Sequence, residues 1–64
     1  MNIEAEFLQY AFDKYKYNPI QLKAFCKIML RQAGGYDRSL TEEQKINLLN
    51  QVKLDLDFCM QEIN

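Results

Sequence analysis

Apolar positions recur at steps of three and four along three stretches of this chain, a period that belongs to helices and not to strands. The first stretch carries Phe7, Leu8, Ala11, Phe12 and Tyr15 on one side and Glu6, Gln9, Asp13 and Lys16 on the other, predicting a helix over residues 2–16. The second carries Leu22, Phe25, Cys26, Met29, Leu30 and Ala33, and predicts a helix over residues 19–33. Ile20, Ala24 and Ile28 widen its apolar arc and leave a narrow polar stripe at Lys23, Lys27 and Arg31. So wide an arc suits a middle helix packed by both neighbours. The third runs through Leu49, Val52, Leu56, Cys59 and Ile63, widened by Leu48 and Met60, and predicts a helix over residues 42–63.

The breaks between these stretches have their own chemistry. Asn18-Pro19-Ile20-Gln21 reads as a helix start: Asn18 can cap free N–H groups, and Pro19 suits the first helical position because its missing N–H would go unpaired there. Gln21 is placed to reach back to the cap, and Tyr17 to pack on Leu22. Gly34 is placed to take the left-handed conformation that closes a helix. Thr41-Glu42-Glu43-Gln44 restarts one as a capping box, with Ser39 and Glu42 an alternative box two residues earlier. Helices of these lengths with short links predict a small all-α antiparallel three-helix bundle, a single helical domain over residues 1–64. A hairpin of the first two helices, with the third packed mostly on a second chain, is the alternative.

The third helix has more apolar surface than one stripe. Leu54 and Phe58 lie a turn apart on a different side, among Asn47, Gln51, Asp55 and Asp57. A helix apolar on two sides is buried twice, by its own fold and by something else. Either the first helix covers Leu54 and Phe58, or they meet another molecule, most simply a second copy of the same helix about a two-fold axis.

Composition narrows the chemistry. A chain of 64 residues buries only about 60% of its unfolded surface, so net stability is slim and a partner chain is one way to add to it. The chain has no histidine and no CxxC pair, so the usual zinc constellations and the Ser/His or Cys/His nucleophile pairs cannot be built. Cys26 and Cys59 sit in apolar stripes and read as buried thiols. Glu42 and Glu43 are accounted for by helix capping. No enzyme activity, cofactor, metal or small-molecule substrate is expected. Residues 1–6 carry two acids and no basic-then-apolar run, and no stretch is long and apolar enough to cross a bilayer, so a cytoplasmic, non-membrane protein is expected.

Net charge is −1, but its distribution is uneven. Between Asp13 and Asp37 no acid occurs, while Lys14, Lys16, Lys23, Lys27 and Arg31 all do. Lys23, Lys27 and Arg31 follow at spacing four and form a basic stripe that could contact nucleic acid or an acidic protein. A solvated helix face is the plainer reading, since nucleic-acid-binding domains are usually basic overall. Tyr10, off the apolar side of the first helix, is a candidate for exposure and contact, as is Tyr36 after the glycine pair. The expected function is therefore a small, non-catalytic helical protein–protein interaction module. It would be a homodimer or other homo-oligomer that regulates or inhibits a larger complex, in the manner of modulators encoded by phages or mobile elements. Its expected interface is Asn47, Gln51, Leu54, Phe58 and Tyr10. A nucleic-acid-binding regulator using Lys23, Lys27 and Arg31 is the alternative.

Overall fold

Three polar side chains open the three helices. Asn2 accepts the Ala5 N–H at 3.0 Å and starts α1 (Ile3–Lys14). Asn18 accepts from Ile20 and Gln21 at 3.0 and 3.1 Å and starts α2 (Pro19–Gln32), with Pro19 at the first helical position. Thr41 and Gln44 cap each other reciprocally, at 3.1 and 2.8 Å, ahead of α3 (Glu42–Ile63). The box built on Thr41 is therefore the one used; Ser39 instead donates its N–H and hydroxyl to Asp37 within the preceding turn. The computed structural model describes residues 1–63, with side chains up to Glu62; Ile63, the last position of the expected stripe, has its side chain outside that range.

The glycine pair closes α2 by two different means. Gly34 has φ +81°, and its N–H and that of Gly35 donate to the carbonyls of Arg31 and Leu30 at 3.1 and 2.7 Å, the reciprocal pair of bonds that satisfies a helix end. At Gly35 space is tight: a Cβ there would lie 3.0 Å from Leu30 Cδ2 and 3.2 Å from its carbonyl oxygen, so Leu30 would have to give by a few tenths of an ångström.

The chain is an all-α three-helix bundle in which every helix touches both others, about 35 × 19 × 19 Å. Its core is Ile3, Phe7 and Ala11 of α1, Leu22, Cys26 and Leu30 of α2, and Leu49, Val52, Leu56 and Met60 of α3. Two expectations about the arrangement are corrected. The central helix is α1, which packs extensively on both neighbours, while the α2–α3 seam is narrower. Accordingly the buried stripe of α1 is rotated toward Ile3 and Tyr10, and Phe12, expected in the core, is 40% exposed. In α2, Ile20, Ala24 and Ile28 do not widen the buried arc but face outward, because a helix that is not central buries only one side.

Candidate interaction surface

At 100° per residue, Asn47, Gln51, Leu54 and Phe58 fall within about 60° of one another, roughly half a turn from the midpoint of Leu49, Val52, Leu56 and Met60. Neither α1 nor α2 reaches that side. Leu54 is 64% exposed and Phe58 65%, so α1 does not cover them. Asn47 and Gln51 beside them are exposed too, and Gln51 Nε2 donates to Asp55 Oδ1 at 3.1 Å. The patch sits on a stiff support, since the same 22-residue helix is anchored from behind by four core residues.

Tyr10, the remaining expected interface residue, lies elsewhere. It is half-buried at the α1–α3 seam, where its hydroxyl donates to Asp57 Oδ2 at 2.7 Å. Tyr15 donates to Asp57 Oδ1 at 2.5 Å, and Lys14 Nζ lies 3.1 Å from both Asp57 Oδ2 and the Tyr10 hydroxyl. The Lys53 ammonium stands 5.1 Å from the centre of the Tyr10 ring. Helix α1 ends at Lys14, short of the expected residue 16, and the extended backbone at Tyr15 (φ −120°, ψ 128°) is where the chain leaves the helix toward that carboxylate. Asp57 therefore does not share the side of Asn47, Gln51 and Asp55, among which the sequence reading sets it. The signal was a single acid between two core positions, Leu56 and Met60, opposite a helix end rich in tyrosine and lysine.

This cluster ties the end of α1 to α3 through three contacts on one carboxylate. Burial pushes the Asp57 carboxyl up, but the hydrogen bonds from Tyr15, Tyr10 and Lys14 outweigh it and leave Asp57 below the usual carboxylate range. Burial and the bond to Asp57 push the Tyr15 phenol up. The bonds to Tyr10 and Asp57 raise Lys14. At the other end of the bundle, Tyr36 donates to Glu4 Oε2 at 2.6 Å, and partial burial with that carboxylate pushes its phenol up to about 12. Tyr36 thus ties the α2–α3 link to the start of α1.

The basic stripe of α2 lies on its outward side. Lys23 and Arg31 are exposed and Lys27 half-buried, beside Ile20 (81% exposed) and Ile28 (44%). Among the described residues none of the three cations has an ion-pair partner. At the α2–α3 seam, Tyr17, Gln21, Leu22, Phe25 and Met60 line a groove of about 230 Å³. Both cysteines are free thiols: Cys26 is buried and pushed up to about 11 by its apolar surroundings, and Cys59 is half-buried. No group of three or more His, Cys, Asp or Glu that could hold a metal ion occurs among the described residues. No helix among them is long and apolar enough to cross a membrane. No family model, no curated protein and no solved structure matches the chain.

Proposed function

We propose that this protein is a non-catalytic helical interaction module that works by placing the outer side of α3 against another protein, as a regulator or inhibitor of a larger complex. The observation that carries the reading is the exposure of Leu54 and Phe58 on the side of α3 opposite the core. Large apolar side chains one turn apart, ringed by Asn47, Gln51 and Asp55, have the form of an anchor in a helix-in-groove contact. The helix is already folded and backed by the core, so little ordering entropy is lost on binding. The test is capture from the native host with the wild-type chain and with a Leu54→Ser/Phe58→Ser variant, compared by mass spectrometry. Proteins held by the wild type and lost by the variant support the reading; identical captures with both overturn it.

The nucleic-acid reading has one observation in its favour, the unpaired cations at Lys23, Lys27 and Arg31 among the described residues. Against it stand Ile20 and Ile28 on the same side and a net charge of −1. Binding to a random-sequence duplex, weakening with salt and lost in a Lys23→Glu/Arg31→Glu variant, would replace the protein reading with this one.

A further inference from the structure

Two sides of this molecule face outward with exposed apolar residues, and they carry opposite charge. On α3 the exposed charged residues are acidic (Glu42, Glu43, Asp55 and Glu62), while Lys45 and Lys53 are half-buried and lie by helical phase toward the core side, away from Leu54 and Phe58. On α2 there is no acid at all, and Lys23, Lys27 and Arg31 flank Ile20 and Ile28. The ion pairs within the molecule use other groups: Lys14 with Asp57, and Glu42 with Lys45 and the Met1 amino group. Glu43, Asp55 and Glu62 on α3 and Lys23, Lys27 and Arg31 on α2 are left without ion-pair partners among the described residues. Each side is about the same length, because Asn47 to Phe58 and Ile20 to Arg31 are both twelve residues, and the eleven steps between their ends make roughly 16 Å of helix.

We infer that the occupant of the outer side of α3 is the outer side of α2 in a second copy of the chain, a head-to-tail contact in place of a symmetric one. Both sides point away from the one core, and Leu54, Phe58 and Ile20 all remain exposed, so the two cannot meet within a single molecule. A symmetric pairing of α3 with its own copy would bring the Leu54 and Phe58 side chains together, but would set acid against acid along the rim. The head-to-tail contact covers the same apolar side chains and sets acid against base. Because it uses two different surfaces, it continues from copy to copy unless the rotation closes a ring. The inference rests on the proposed protein-binding role of the α3 surface and makes its partner a second copy of the chain in place of a component of a larger complex.

Sedimentation of the full chain at increasing concentration tests it. Two variants are needed: Lys23→Glu/Arg31→Glu, which alters exposed positions of α2, and Leu54→Ser/Phe58→Ser, which removes the α3 anchor without adding acid that the basic stripe would attract. Circular dichroism and thermal unfolding confirm that each remains folded. The wild type should exceed the monomer mass of 7.6 kDa at low salt and return to it at about 0.5 M salt, where charges more than a few ångströms apart are screened. Each variant alone should lose about tenfold or more in association constant. Mixed in equal amounts, they should form a two-chain species that grows no further, since each retains the surface the other lacks. Association that survives in the α2 variant but not in the α3 variant, or that strengthens with salt, overturns the inference in favour of symmetric α3 pairing and leaves the α3 surface standing. A wild type that stays monomeric at every concentration overturns it as well, and the capture experiment then judges the α3 surface alone. Unchanged association in the α3 variant overturns it too, because self-association then uses another surface, and the capture experiment again judges the α3 surface alone.

Discussion

The inner and outer sides of α3 are built from the same residue types and have opposite fates. Leu56 is fully buried and Leu54, two residues away, is 64% exposed. Asp57 is held by two tyrosines and a lysine, while Asp55, also two residues away, is exposed and accepts only from Gln51 on its own helix. Nothing in the local chemistry of leucine or aspartate separates these pairs. Helical phase does, together with the position of α1. The stability of the bundle therefore resides on one side of α3, and the other side is open to contribute to binding without much consequence for folding.

The largest break in that comparison is Leu56→Ala against Leu54→Ala. Removing the buried side chain should cost about 2–5 kcal/mol, through lost transfer energy and the cavity left behind. For a domain of this size that is a large part of its whole stability. Removing the exposed one should change stability by no more than about 0.5 kcal/mol. Urea unfolding followed by circular dichroism measures both, and equal losses would mean that the outer side is covered after all.

The aspartates come next. Asp57→Asn weakens three bonds between α1 and α3 and should cost about 1–2 kcal/mol, in the range for hydrogen bonds to a charged group; Asp55→Asn should stay within about 0.5 kcal/mol. The effect depends on pH in a definite sense. Because folding lowers the affinity of Asp57 for its proton, its contribution is present above the unfolded aspartate value of about 3.9 and is lost as pH falls below it. Tyr15 is shifted the other way, so its contribution is complete below about 10 and fades as pH rises above that. The Asp57→Asn variant should therefore show a shallower loss of stability than the wild type below pH 4. Parallel acid limbs for the two proteins would remove Asp57 from the account.

The same pairs show what could be read from the chain and what could not. Pro19, the glycine pair and the Thr41 box place the helix boundaries within a residue or two, because capping is local chemistry. The stripe read through Leu49, Val52, Leu56, Cys59 and Ile63 finds the inner side of α3, although Met60 is in the core and Cys59 only half-buried, and Leu54 and Phe58 stand out as its opposite. Which helix lies in the middle is not local. Phe12 and Ile28 have the composition of core residues, and it is the arrangement of the three helices, not their own chemistry, that leaves them exposed. Asp57 was illegible for a related reason: its partners lie more than forty residues away, and its phase alone sets it at the edge between two sides. Tyr10 is the counterpart on α1, polar enough to suggest a contact surface and in fact turned to the seam.

The smallest predicted difference lies on that edge. Cys59 is half-buried on the flank of α3, whereas Cys26 sits at zero exposure among core residues of all three helices. Thiol reagents attack the thiolate, and burial pushes the Cys26 thiol up to about 11, so at pH 8 it is both inaccessible and protonated. Cys59 should react first with an aromatic disulfide, through local motion of α3. Cys26 should react only at the rate at which the bundle opens, and mild urea should accelerate it more steeply. Because folding raises the Cys26 value, neutral burial of that thiol stabilises the bundle fully below the unfolded value of about 8.5, and the benefit is lost as pH rises toward 11. A Cys26→Ala protein, although less stable at neutral pH because of the smaller side chain, should lose less between pH 8.5 and 11. If the two thiols react together in the native state, the C-terminal part of α3 opens as one unit with the core, and the line between an inner side that folds and an outer side that binds would have to end before Cys59.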